Sequence, residues 1–128
     1  MGQPAAKQGD LIQATDTHIF MIGAPPVPTP LPCPFNGMIN GQLSTDVKIM
    51  GQAAAVQGST AQNNPPHLPQ GGPFQKPPTN QGKIMNGSVT VLINGKAAAR
   101  NGDTAQTCND PVDMPVGQVV ATGTVLIG

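Results

Sequence analysis

The chain has 128 residues, the length of a single domain. Its six basic residues balance its six acidic residues, and only 9% of the chain is charged, which argues against a nucleic-acid binder with a basic face and against a polybasic membrane patch. No secretion signal and no apolar run close to the roughly 20 residues of a membrane span are visible, so we expect folding in the cytosol and export, if any, by a machine.

Sixteen glycines, 15 prolines and only three aromatic residues predict a thin core in a turn-rich domain. A composition this rich in glycine and proline approaches that of low-complexity disorder. Short alternating apolar runs at regular places, together with the absence of net charge, favour an ordered β domain instead. A core of this size often needs an additional staple such as a metal ion.

Three similar segments of small residues define an internal repeat: Pro4–Asp10, Ala53–Ser59 and Ala97–Asp103. The first and third end in Gly-Asp, and we interpret Asp10 and Asp103 as turn residues whose carboxylates accept hydrogen bonds from local amides. The second ends in Gly-Ser. Fixed-period similarity of this kind indicates repeated structural units, which we place at about residues 1–51, 52–95 and 96–128.

Strand patterns precede each repeat boundary, at residues 46–51, 90–95 and 124–128. Their Val, Ile and Thr residues suit a half-buried sheet, and Asn94-Gly95 is a strong hairpin-turn signal. We expect each Ala-rich segment to form the returning strand. Since no window shows helical periodicity with caps, we expect little helix.

Two proline-rich stretches, at about residues 23–45 and 62–82, are predicted to be long irregular loops. As free linkers they would adopt polyproline II conformation and could bind SH3-type domains. Loops longer than about 15 residues in a compact domain are usually functional or disordered.

The two histidines and two cysteines of the chain form a candidate zinc site: His18, Cys33, His67 and Cys108. His18 and His67 each follow a repeat glycine by nine positions, and Cys108 follows the third by six. Zinc prefers these ligand types, and a structural site takes four of them in a tetrahedron. Three units packed around one axis would bring such distant residues together.

Other interpretations of these four residues stay open. Each histidine could be solvated, and the cysteines could be inert buried thiols or a disulfide. A catalytic zinc would need an open position and a nearby base. The chain has no glutamate, and the nearest acids are Asp16, Asp103, Asp110 and Asp113. No Ser-His-Asp or Cys-His arrangement is visible, so we expect no enzymatic activity.

The repeated segments resemble the Pro-Ala-Ala-Arg signature of PAAR-repeat proteins. Pro4–Lys7 is similar to the signature itself, Ile93–Asp103 is similar to the strand-turn-strand unit of the family, and the likeness extends to Val125–Gly128. The resemblance implies a mainly β fold: a small cone of short strands and long loops with pseudo-threefold repeats and one structural zinc near the apex. The family typically uses three histidines and one cysteine. Here a third histidine is missing, and Cys33 is the residue available to replace it.

The resemblance also implies a function. PAAR proteins are structural tips that cap a trimeric, VgrG-like β-helical spike in type VI secretion and related contractile injection systems. One monomer binds each trimer and sharpens the spike for transient contact with a target membrane. The strand ends near 47–51, 91–95 and 124–128 are candidates to face the spike, and the sequence leaves open which end of the domain docks. We expect a cap without an effector domain of its own, delivered outward with the spike. An adaptor that links a separate toxic effector through the proline-rich loops is the alternative, and a zinc hydrolase is a third. Ser59 in place of the usual aspartate is expected to alter one turn.

Overall fold

The computed structural model describes residues 2–128, which form twelve β-strands and no helix. Six strands close into a barrel: β2 (Leu11–Ile22), β3 (Val27–Gly41), β6 (Thr60–Asn63), β7 (Gln81–Ile84), β10 (Thr104–Thr107) and β11 (Met114–Val120). The other six form three two-stranded sheets: β1 (Gln3–Pro4) with β12 (Leu126–Ile127), β4 (Lys48–Ile49) with β5 (Gln52–Ala53), and β8 (Leu92–Ile93) with β9 (Lys96–Ala97). The expected mainly β fold is confirmed. No described segment is a helix long and apolar enough to cross a membrane.

A ring of three backbone hydrogen bonds marks the pseudo-threefold axis. The amide of Ala6 donates to the carbonyl of Ala99 (2.9 Å), that of Ala99 donates to Ala55 (3.1 Å), and that of Ala55 donates to Ala6 (3.0 Å). All three alanines are completely buried. A larger side chain would hold the three backbones apart, so the Ala-rich runs meet at the axis. Only their first residues form the returning strands that we expected.

The repeat turns are alike in all three units. The Lys7 amide donates to the Asp10 carboxylate at 3.0 Å, and the Arg100 amide donates to that of Asp103 at 2.6 Å, as expected from the Gly-Asp pattern. In the second unit the Ser59 hydroxyl accepts from the Val56 amide at 2.9 Å. The expectation that serine would alter this turn is wrong, because a hydroxyl oxygen at the same position accepts the same hydrogen bond.

The alanine ring separates two small cores. On one side lies the barrel core, which includes Ile12, Phe35, Ile39, Ile84 and Val119. On the other side lies the base core of the two-stranded sheets, where Ile49, Ile93 and Ile127 occupy equivalent positions. The hairpin predicted at Asn94-Gly95 is confirmed, with φ angles of 53° and 79°.

The first proline-rich stretch is a strand, which corrects the prediction of a loop at 23–45. β2 and β3 pair continuously from Leu11 with Met38 to Ile22 with Val27, and they are 12 and 15 residues long rather than short. β6 covers the other edge of β3 only from Gly37 onward. The Gln70 side chain reaches the Pro32 carbonyl at 3.4 Å, so the open part of this edge lies around Pro28 and Pro30. Over residues 28–34 every second residue is a proline: Pro28, Pro30, Pro32 and Pro34. Proline has no N–H, and it is tolerated where the backbone faces away from the neighbouring strand.

Proline at these positions should protect the open edge from pairing with another chain. Replacing both Pro28 and Pro30 by threonine would restore two outward N–H groups without removing any hydrogen bond to β2. We expect the double variant to fold with little change in stability and to self-associate at concentrations where the parent does not, as measured by sedimentation equilibrium. Unchanged sedimentation would contradict this role for the prolines.

The second proline-rich stretch is irregular over residues 64–80, as predicted. It packs along the outer edge of β2: the Met21 amide donates to the carbonyl of Pro73 and the Gln75 amide donates to that of Ile19, both at 2.8 Å. The Phe20 and Phe74 rings lie 4.9 Å apart between their centroids. This loop therefore closes over the β2–β3 hairpin at the end of the barrel far from the base core.

Candidate metal centre

Four buried side chains meet at the end of the barrel strands, on the side away from the two-stranded sheets: Asp16, His18, His67 and Cys108. Asp16 and His18 lie in β2, two positions apart and hence on the same face. His67 lies in the loop after β6, and Cys108 directly follows β10. Each of the three repeats thus contributes at least one side chain to the group.

The ligand atoms of this group all lie within 4.8 Å of one another. The Nε2 atom of His67 is 2.8 Å from the Oδ2 atom of Asp16, and the Sγ atom of Cys108 is 3.5 Å from the same oxygen. The Sγ atom of Cys108 is 3.6 Å from the Nε2 atom of His18. Tetrahedral zinc with ordinary bond lengths places its ligand atoms about 3.3–3.8 Å apart, so small side-chain shifts would accommodate one ion.

Asp16 is the member that sequence analysis did not select, although it was among the acids considered. Its side chain is fully buried, and buried residues alternate along this part of β2 at Asp16, His18 and Phe20. That alternation is the signal that could have placed the carboxylate beside the histidine. A charged side chain at an inward position of a strand is rare unless it has partners.

Cys33 is not a member of the group, whereas sequence analysis predicted it as the fourth ligand. It lies opposite Asp16 on the neighbouring strand and is 1% exposed. Its Sγ atom is 3.4 Å from the Nε2 atom of Gln70. As register partners the two side chains project to the same face of the sheet, but only the Asp16 carboxylate belongs to the set whose ligand atoms all lie within 4.8 Å of one another. Both cysteines are free thiols.

The equal nine-residue offset of the two histidines does not reflect equivalent backbone positions. His18 is still within a strand, whereas His67 lies four residues beyond the end of the much shorter β6. Two hydrogen bonds hold the loop at this point. The His67 amide donates to the Oδ1 atom of Asn80 at 2.8 Å, and the Nδ2 atom of Asn63 is 3.3 Å from the ring Nδ1 atom.

His18 has the surroundings of a metal ligand. Its Nε2 atom points toward Cys108, and its buried Nδ1 atom makes no hydrogen bond with any described residue. The Oδ2 atom of Asp110 is 3.4 Å from Nδ1, within ion-pair distance but without hydrogen-bond geometry. Metal-bound histidines commonly direct their other ring N–H at a carboxylate, and a small rotation of the ring would make this contact.

The surroundings of both cysteines disfavour the thiolate form. Burial, followed by the nearby Asp16 carboxylate, raises the pKa of the Cys108 thiol to about 11. The same two causes, in the same order, raise the pKa of Cys33. A divalent cation at the centre of the group would have the opposite effect on Cys108, because it stabilises the thiolate and releases the proton.

The residues present therefore fit a divalent ion. Two imidazole nitrogens, one sulfur and one carboxylate oxygen are all zinc ligands. None of the four residues is more than 8% exposed, so the group has the closed character of a structural site. The ligand set of His18, His67 and Cys108, common to the sequence analysis and to this group, stays a prediction.

Comparison with known proteins identifies one family. The family model described as the PAAR motif matches residues 75–128. No curated protein and no solved structure gives a significant match. Cys108 lies within the matched segment, whereas the other members of the group lie before it.

The matched segment begins in the loop that covers β2 and continues to the end of the chain, and it includes β8, β9 and β12 of the two-stranded sheets. The motif supports a role associated with the spike tip of a type VI secretion or contractile injection apparatus. Proteins of this family are associated with spike partners and are delivered by the secretion machinery. Residues 75–128 thus match the PAAR motif, and the chain is consistent with a PAAR-repeat protein.

Proposed function

We propose that this protein is a structural tip that caps a trimeric, VgrG-like spike and is stabilised by one zinc ion. The motif match carries the general role. The support for capping comes from the end of the molecule opposite the buried group, where three equivalent Val-x-Ile segments lie. We define this base surface as Val47–Ile49, Val91–Ile93 and Val125–Ile127.

The base surface repeats the same contacts three times. The carbonyls of Val47, Val91 and Val125 accept hydrogen bonds from Ala54, Ala98 and Ala5, respectively, at 3.0, 3.0 and 2.8 Å. The three isoleucines are 7–8% exposed and close the base core. A surface that repeats three times around an axis is complementary to the end of a threefold-symmetric partner.

Exposed apolar side chains lie on the same surface. Leu92 is 65% exposed and Leu126 is 60% exposed at equivalent positions, and Met50 is 54% exposed in the neighbouring turn. The third equivalent position is Lys48. Apolar side chains grouped on a surface mark interaction sites more often than isolated ones do, and a docked spike would cover them.

The proposed role is not enzymatic. None of the four donors is more than 8% exposed, and only His67 among them lines the neighbouring cavity of about 290 Å³, so a bound ion would be shielded from substrate. Turnover of an ester, peptide or nucleic acid that is lost on chelation would contradict this part of the proposal. We further propose assembly in the cytoplasm and outward delivery with the spike.

The experiment that tests capping is reconstitution with a purified trimeric spike. We expect one chain per spike trimer by native mass spectrometry, and about one zinc per chain by elemental analysis. Three chains per trimer, or none, would contradict the cap. A chain that binds the spike but contains no metal would support the capping role and contradict the proposed zinc site.

An adaptor for a separate effector is a second candidate, favoured by the loop after β6. Pro65, Pro66 and Leu68 line a cavity of about 290 Å³, and Leu68 is 71% exposed. The first proline-rich stretch, by contrast, is folded into the hairpin. If the protein is an adaptor, Leu68→Asp should abolish co-purification of an effector while the chain still binds the spike.

A further inference from the structure

The two oxygens of the Asp16 carboxylate have different partners. The Oδ1 atom accepts hydrogen bonds from the Thr107 hydroxyl and from the Nδ2 atom of Asn109, the latter at 3.4 Å. The Oδ2 atom faces His67 at 2.8 Å and Cys108 at 3.5 Å. One oxygen is thus held by the protein, while the other is directed at the proposed ligands.

The residues that hold Oδ1 are themselves fixed. The Nδ2 atom of Asn109 also donates to the carbonyl of Thr107 (3.1 Å) and to its hydroxyl (3.3 Å). The Oδ1 atom of Asn109 accepts from the amide of Thr17 at 2.7 Å. Because the Thr107 hydroxyl accepts from Asn109, its single proton is free to point at Asp16. Thr107 and Asn109 are 1% and 5% exposed, so water competes little for these bonds.

The charge of the group favours a carboxylate in the fourth position. Three histidines and a thiolate around a divalent cation would leave one positive charge in a buried site. Two histidines, the Cys108 thiolate and the Asp16 carboxylate give a neutral one. A buried net charge is costly unless it is compensated. Asp110 adds a carboxylate outside the four donors, where its Oδ2 atom lies 3.4 Å from the Nδ1 atom of His18 and accepts a hydrogen bond from the Ile19 amide at 2.8 Å.

We propose that Thr107 and Asn109 position Asp16 as the fourth ligand of the ion, through its Oδ2 atom. Asp16 then takes the place that a third histidine has in the family pattern. Thr107 directly precedes Cys108 in the chain, so one short segment sets the distance between the carboxylate and the thiolate. This inference rests on the proposed function only in that the group must bind a divalent ion.

The test uses the full chain loaded with Zn²⁺ or Co²⁺. Competition with a chromophoric chelator measures Zn²⁺ affinity, and the visible absorption of Co²⁺ reports the ligand set and geometry. Loss of an outer hydrogen-bond partner typically weakens metal affinity about 10–100-fold. We expect Thr107→Val to weaken Zn²⁺ binding by this factor and to change the Co²⁺ spectrum, and Thr107→Ser to restore both.

Two further variants separate positioning from general destabilisation. Thr104→Val changes the same residue type at the start of β10, away from Asp16, and should leave affinity and spectrum unchanged. Asp16→Asn keeps the shape of the side chain but removes its charge, and should weaken Zn²⁺ binding at least as much as Thr107→Val. If Thr107→Val does not fold, Asp16→Asn still decides whether Asp16 is a ligand, and an unchanged affinity and spectrum overturn the inference.

The outcomes distinguish this inference from the proposed function. If the parent chain binds Co²⁺ and Asp16→Asn gives the same spectrum and the same Zn²⁺ affinity, Asp16 is not a ligand and the inference is overturned. If Asp16→Asn changes both but Thr107→Val changes neither, Asp16 binds the ion without needing this positioning, which also overturns it. A parent chain that binds neither ion would contradict the zinc site in the proposed function itself.

Discussion

Cys108→Ser should release the metal ion and lower the melting temperature by about 15–30 °C. The thiolate is the strongest donor of the group, and its loss removes both a ligand and half of the compensating charge. An ion present at about 1,000 times its dissociation constant stabilises the folded chain by about 4 kcal/mol. For a domain of about 100 residues, each 1 kcal/mol corresponds to about 4–8 °C. Differential scanning calorimetry and elemental analysis of the same samples measure the two effects.

Cys33→Ser is the matched control, because Cys33 is equally buried but lies outside the group. We expect this variant to retain its metal ion and to lose only the stability that burial of a hydroxyl in place of a thiol costs. His18→Ala should behave like Cys108→Ser. If Cys33→Ser releases the ion as completely as Cys108→Ser does, then Cys33 is a ligand as the sequence analysis predicted. An unchanged melting temperature in Cys108→Ser would contradict a structural ion.

Leu92→Asp combined with Leu126→Asp should abolish binding to the spike while leaving the fold intact. Both side chains are mostly exposed, so the substitutions cost the isolated protein little. At a docked interface each would bury an unpaired carboxylate, and contacts of this kind at the centre of an interface commonly change binding by 2 kcal/mol or more each. We expect at least a 100-fold loss of affinity in a titration of the spike trimer.

Leu68→Asp is the control for this prediction. Leu68 is 71% exposed, similar to Leu92, but it lies in the loop at the opposite end of the barrel. Its variant should bind the spike like the parent chain, and all variants should retain their metal ion. Equal loss of spike binding in both variants would show that the base surface is not the docking site.

Parts of the fold could be predicted from the sequence because they depend on local side-chain and backbone chemistry. The Gly-Asp pairs predict turns because glycine adopts positive φ and an adjacent carboxylate accepts the amides of the turn. Asn94-Gly95 predicts a hairpin for a similar reason. His18, His67 and Cys108 were selected because few side chains in this chain can bind a soft metal ion. In each case the residue type itself carries the information.

The structure corrects predictions for segments whose conformation depends on contacts with distant parts of the chain. Alternating prolines between residues 28 and 34 suggest an irregular loop, yet they suit a strand when one edge has a partner and the other faces outward. Cys33 and Asp16 are opposite each other on paired strands and project to the same face. Residue type alone therefore does not decide which of them lies nearest to the other donors, and the Cys33 ligand stays a prediction. Ser59 stands where the other repeats have aspartate without changing the turn, since each side chain provides an oxygen that accepts the equivalent amide.

The amino-acid sequence alone thus determined the repeat, the turns, the shortage of large core residues and most of the candidate ligands, because these follow from residue types and short-range spacing. The tertiary structure decided that three alanines meet on one axis, that a proline-rich stretch forms an edge strand, and that a carboxylate lies in the buried group. Each of those outcomes depends on strand register and on contacts between residues far apart in the chain. Side-chain chemistry predicts what a residue can bind, whereas packing determines what it meets.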